Sequence, residues 1–265
     1  MSGRGKVFDF CMSFGGSCAG TMQLTQRNLR MASLPFDWVG GRTSEKFSHV
    51  IEKMLASRFE GWMQYGGFVP MPAEFDDPPA TDPMEVRVWD NNLDMGFWHD
   101  FRYNIFASDG KAYFDGVVEK YRRRIDRLYD FLSRSENVLA VSVAQDPCSR
   151  GRMLELKQRL DAVSPKAKFT LFVVQYGADE DSPAIDDGSG VFVRSTRRKV
   201  HPYDYYRTAP EWDFLDDVKL TGAVAFSGDG KSRVKTTAGM PLWYKLHRKL
   251  YMHCRKVLEK QTRTH

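Results

Sequence analysis

Val138-Leu139-Ala140-Val141-Ser142-Val143 and Phe169-Thr170-Leu171-Phe172-Val173-Val174 are two short apolar runs, with a helical stretch from Met153 to Leu160 between them. Runs of this length, rich in β-branched residues, read as strands buried on both faces. A strand, a helix and a strand in succession predict a parallel sheet with helices packed on it. Upstream, Lys6 to Ser13 reads as a first strand of the same kind, followed by a helix from Cys18 to Leu29. The expected fold is therefore α/β: a mostly parallel sheet with helices on both faces, Rossmann-like, with long irregular loops. Such sheets bind ligands beyond the carboxyl ends of their strands, and Cys18 and Asp146 both fall at those ends.

Working outward, Ser44 reads as an N-cap. Phe47, Val50, Ile51, Met54, Leu55 and Phe59 follow it at helical spacing. Tyr65 to Pro83 is rich in Pro, Gly and Asp and reads as a long loop. Val86 to Trp89 reads as a short strand, and Phe97 to Phe101 as a loop or strand end. Val117, Tyr121, Ile125, Leu128 and Leu132 mark a long helix whose other face carries Lys120, Arg122, Arg123, Arg124 and Arg127. Gly177 to Gly190 reads as an acidic loop, and Val191 to Val193 and Ala223 to Phe226 as weak strands. A last helix is expected at about 241–260, basic on its polar side. The chain is read as a single domain over 1–265.

The 265 residues carry a net charge of +5 and 42% hydrophobic residues. That composition supports a real core and argues against a wholly disordered chain. The modest charge suits a small-molecule, peptide or glycan substrate, anionic ones included, and does not call for nucleic acid. The four cysteines form no metal-ligand spacing, so neither a metal nor any other cofactor is expected. They read as reduced thiols of a cytoplasmic protein. No transmembrane stretch and no signal peptide is expected. The sequence leaves the oligomeric state open.

The chemistry concentrates in Ser13-Phe14-Gly15-Gly16-Ser17-Cys18. A strand that ends in a Gly turn and feeds a helix sets Cys18 at a helix N-terminus. There the dipole and free N–H groups favour the thiolate, the nucleophilic form. Ser13, Gly15 and Gly16 would line the substrate there, and Cys11, inside the strand, reads as core. The turn matches neither a Walker A loop nor GxGxxG.

These residues, followed by Ser33-Leu34-Pro35-Phe36-Asp37-Trp38, His99-Asp100-Phe101 and Lys120-Tyr121-Arg122-Arg123-Arg124-Ile125, resemble a bacterial family labelled as papain-like cysteine peptidases. The resemblance covers roughly the first two thirds of the chain and fades beyond Gly177. It implies a Cys–His pair, Cys18 as nucleophile and His99 as general base, acting in hydrolysis or acyl transfer. Asp37 is the third catalytic member carried by the motif, and Asp146 the alternative placed by topology. Asp100, Arg123 and Arg124 would contact substrate, Arg being suited to phosphate or carboxylate. A second reading is a glycosyl- or acyltransferase of cell-surface polysaccharide synthesis that holds a phosphate-bearing donor on the arginine helix. A third is a non-catalytic binding protein that docks through its last helix.

Overall fold

A carboxylate divides the first apolar run in two. The computed structural model describes residues 6–71, 85–199 and 210–224. In it β1 (Lys6–Phe8) stops at Asp9 and β2 (Phe10–Ser13) starts after it. The Asp9 carboxylate accepts from the Glu136 N–H at 2.8 Å, the Asn137 N–H at 3.0 Å and the Thr221 hydroxyl at 2.7 Å. β1 pairs with β10 (Val218–Leu220), whereas β2 pairs with β7 (Asn137–Ala144), both in parallel. The single strand expected over Lys6 to Ser13 is thus two strands in two sheets.

The predicted strand–helix–strand unit is present. α4 (Arg150–Val163) joins β7 to β8 (Lys168–Tyr176), and β9 (Val191–Thr196) follows. The four-stranded parallel sheet has the order β2-β7-β8-β9. Successive side chains point to opposite faces. Phe10, Met12, Val138, Ala140, Leu171 and Val173 enter one apolar cluster, and Cys11, Leu139, Val141, Phe172 and Val174 another. The first cluster is covered by α2 (Ser44–Ala56), α3 (Gly110–Arg134) and α4. The second is covered by α1 (Cys18–Gln26) and by a 3-10 segment, Pro210–Asp217, that brings Trp212 and Phe214. The protein is a mixed α/β structure. Among its described strands the order advances in one direction, without the reversal that makes the ligand crevice of a doubly wound sheet.

The short strand expected over Val86 to Trp89 is present, and with segments read as loops it forms a second, antiparallel sheet. β3 (Val39–Gly41), β6 (Met95–Arg102), β5 (Glu85–Asp90) and β4 (Phe68–Pro70) lie in the order β3-β6-β5-β4. One face of this sheet is aromatic. Phe97 packs on Phe68, Phe101, Tyr121 and Trp62 at centroid distances of 5.6, 5.5, 5.7 and 6.1 Å. This contact joins the antiparallel sheet to α3 and to the core of the parallel sheet.

Smaller differences have local causes. α1 ends at Gln26 rather than at Leu29, because Asn28 turns left-handed at φ 57°. Thr43, not Ser44, caps α2, accepting from the Lys46 N–H at 3.2 Å. Ala223 and Val224 form no strand; β10 lies just before them. The helix expected at 241–260 lies outside the described residues.

Hydrogen bonds from two backbone N–H groups and a hydroxyl outweigh burial and hold Asp9 below the usual carboxylate range. A depressed value stabilises the fold above the unfolded carboxylate pKa and loses that contribution as pH falls. Asp9→Ala is expected to lower stability at pH 7 by about 3 kcal/mol, since bonds to a charged group are worth about 1.5–3 kcal/mol and buried donors are left behind. The loss should shrink in urea unfolding curves taken near pH 3.

Candidate active site

Cys18 owes its place to two glycines. Gly15 and Gly16 both have positive φ, 73° and 79°. A Cβ at Gly15 would lie 2.4 Å from the Val39 carbonyl oxygen, and one at Gly16 2.0 Å from that of Val143. Only glycine fits. The turn is hydrogen-bonded on both sides. The Gly16 N–H donates to the Val39 carbonyl on β3 at 3.0 Å, and the Val143 N–H on β7 donates to the Gly15 carbonyl at 3.1 Å. The Gln145 side-chain amide adds a bond to the Gly16 carbonyl at 2.6 Å. Ser17 then caps α1, accepting from the Ala19 N–H at 3.2 Å, and Cys18 is the first helical residue.

His99 arrives from the other sheet. On β5 and β6, Val86 faces Phe101 and Val88 faces Phe97. Trp98, His99 and Asp100 therefore stand opposite Arg87 alone, and β6 bulges at the histidine. Bulges re-aim side chains, and this one turns the imidazole to Cys18. The His99 Nε2 lies 3.4 Å from the Cys18 Sγ. On the far side of the ring, Nδ1 lies 2.7 Å from the Glu85 Oε1. Trp38 packs edge-on against the ring at 5.3 Å. The structure thus lines up a thiol, an imidazole and a carboxylate, the order in which a nucleophile, a base and an orienting group act.

Asp37 is not part of this line. It is buried, and its Oδ2 accepts from Arg30 at 2.5 Å and from the Leu34 N–H at 2.9 Å. It closes the loop that carries Trp38. Asp146 grips the start of α2 through the Ser44 N–H and hydroxyl, at 2.8 and 2.6 Å. The third group is Glu85, which the sequence reading passed over because it sits one residue before the predicted strand at Val86. A carboxylate at the edge of the strand that pairs with the histidine's strand was the available signal.

The expected substrate contacts have other partners. Ser13 is buried and accepts from the Gly15 N–H at 3.1 Å, shaping the turn. Arg124 is buried against Asp100. Arg123 lies exposed and pairs with Glu119 at 3.4 Å. Arg127 donates to the Ser33 carbonyl at 2.7 Å. Cys11 is core, and burial pushes its thiol up to about 12. Among the described residues no group of His, Cys, Asp and Glu could hold a metal, and no helix is long and apolar enough to cross a membrane.

The comparisons with known proteins give the family. Residues 9–177 match the family described as "Putative papain-like cysteine peptidase (DUF1796)", and the chain belongs to that family. It is 27% identical over 140 residues to an uncharacterized protein of Acanthamoeba polyphaga mimivirus, covering 49% of this chain and 59% of the viral one. That relative is viral, and nothing supports the bacterial source expected above. No solved structure matches.

Burial opposes the protonated form of His99, but the hydrogen bond to Cys18, that to Glu85 and the negative charge of both outweigh it and raise the imidazole to about 10. Its contribution to stability is therefore complete below about 6.5, the ordinary histidine value, and lost as pH rises through about 10. The His99 ring signal in NMR should titrate near 10 in the wild type. Cys18→Ala and Glu85→Gln should each move it down toward about 6.5. A wild-type midpoint already near 6.5 would refute the pairing.

Proposed function

We propose that the protein is a cysteine-dependent hydrolase or acyltransferase with Cys18 as nucleophile, His99 as general base and Glu85 as the group that orients His99. The observation that carries this reading is the Cys18–His99–Glu85 line, at 3.4 and 2.7 Å. Membership of the peptidase family supports its hydrolase part.

In this reading the Cys18 Sγ attacks a substrate carbonyl carbon while its proton resides on the His99 Nε2. Glu85 accepts a hydrogen bond from the Nδ1–H and balances the imidazolium charge. The oxyanion forms beside the first turn of α1, where helix N–H groups lack carbonyl partners within the helix and the dipole favours negative charge. His99 then protonates the leaving group, and a thioester remains on Cys18. Water activated by His99 completes hydrolysis, or an amine or hydroxyl acceptor completes transfer. A peptide or glycan ester fits this chemistry. The transferase with a phosphate-bearing donor on the arginine helix draws less support, because Arg123, Arg124 and Arg127 all have partners within the chain.

Iodoacetamide labelling of Cys18, mapped by peptide mass across pH, tests the pair. An ordinary thiol is only a few per cent thiolate at pH 7. Wild-type Cys18 should label at least about ten times faster at pH 6 than Cys18 in His99→Ala. Equal rates would overturn the reading. p-Nitrophenyl acetate should give a burst of nitrophenolate and an acetyl adduct on Cys18, absent in Cys18→Ala. Partition of that adduct between water and added hydroxylamine separates hydrolysis from transfer.

A further inference from the structure

Asp100 follows His99 inside the bulge of β6, yet its side chain turns the other way, into a cluster on α3. Its Oδ2 accepts from the Arg124 guanidinium at 2.7 Å and from the Tyr121 hydroxyl. Its Oδ1 accepts from Lys120 at 2.8 Å and from Arg124 at 3.2 Å. The Asp100 and Arg124 side chains are only 7% and 11% exposed. Two positive charges and a phenol on one carboxylate are more than surface packing needs. The Arg124 fork fixes both position and angle, because a bidentate guanidinium tolerates little rotation.

The position of this cluster gives it a further consequence. Without ties of its own the bulge would slide back into register, since an antiparallel ladder gains backbone bonds when a bulge is lost. Slippage would carry the imidazole away from Cys18. The Trp98 N–H donates to the Trp38 carbonyl at 3.1 Å and His99 meets Cys18 on α1, and Asp100 is the residue of the bulge whose side chain is tied to α3. The two side chains of a neighbouring pair on an extended strand point oppositely, so holding Asp100 against α3 aims His99 away from α3 and toward α1. We propose that Arg124, with Lys120 and Tyr121, is a positioning device: by clamping Asp100 it holds the β6 bulge in the register that sets His99 between Cys18 and Glu85. This rests on the proposed role of His99. It also gives the arginine-rich stretch of α3 a function other than binding an anionic substrate.

Among the described residues the titratable groups facing the His99 ring are Cys18 on α1 and Glu85 on β5, beside the uncharged Trp38. That makes Arg124→Met a diagnostic variant. Removing a nearby cation raises the His99 titration midpoint by direct electrostatics, whereas loss of the geometry lowers it, since the bonds to Cys18 and Glu85 go. The experiment is an NMR titration of the His99 ring, with iodoacetamide labelling of Cys18 at pH 6, on Arg124→Met, Arg124→Lys and Arg152→Met. Arg152, its side chain 7% exposed, forms an ion pair with Glu52 between α2 and α4 at 2.8 Å, on elements that do not carry Cys18, Glu85 or His99. It serves as the control for plain destabilisation.

The expected result is a His99 midpoint at least one pH unit lower and Cys18 labelling about ten-fold slower in Arg124→Met. Arg124→Lys should fall between that variant and the wild type. Arg152→Met should lower the melting temperature with neither change. An unchanged or raised midpoint in Arg124→Met overturns the proposal. Should that variant fail to fold, the same outcome in Arg124→Lys overturns it. If Cys18 labelling in the wild type proves independent of His99 while the midpoint still drops, the hydrolase reading fails and the positioning role stands.

Discussion

Everything at the site depends on the close passage of the Gly15–Gly16 turn between two strands of different sheets. The turn runs against the carbonyl of Val39 on one side and that of Val143 on the other, with no space for a Cβ at either residue. It is the joint between the parallel sheet, which delivers Cys18, and the antiparallel sheet, which delivers His99. A side chain at either glycine would push the sheets apart. The cost would exceed the usual penalty for a left-handed residue, because the obstructing atoms are backbone and cannot rotate away. The same turn sets Cys18 at the first position of α1, so one constraint fixes both the distance to the histidine and the helix start at which the thiol sits.

Around this joint, polar groups are used to fix backbone rather than to meet solvent. Asp37 ties Arg30 to the Leu34 N–H and holds the loop that presents Trp38 to the imidazole. Asp9 bridges β10 and the start of β7. Asp100 carries two cations and a phenol, and its carboxyl is pulled down to about 2: burial opposes this, but the charge of Arg124 and then of Lys120 prevails. A buried charge without a partner would cost several kcal/mol, so each of these residues is tied to one arrangement of its neighbours. The scaffold around the site is thus held rigid, while His99 itself stays about half exposed, with 45% of its side chain open to solvent.

A carboxylate as the third member has a consequence an amide would lack. Glu85 places a full negative charge beside the imidazole and favours the protonated ring. The imidazole therefore keeps its proton over a wider range of pH than an ordinary histidine.

The sequence by itself determined the elements whose residues are held by local pattern. The apolar runs at Val138 to Val143 and Phe169 to Val174 are strands β7 and β8, and the three- and four-residue spacings from Phe47 and from Val117 are α2 and α3. The turn–cysteine–helix unit was legible too, because glycines before a helix cap are a local signal. Only the tertiary structure decided the rest. Of the antiparallel sheet β5 was legible over Val86 to Trp89, whereas β3 and β4 were not, because they are three residues each and exist through their partners. The arginines of α3 looked like a solvated or anion-binding face until Asp100 on β6 came to meet Arg124, and Asp37 looked catalytic until Arg30 met it. Glu85 reaches His99 only because β6 carries two residues more than β5. A register shift between strands leaves no trace in the periodicity of either one, since each strand alone still alternates correctly.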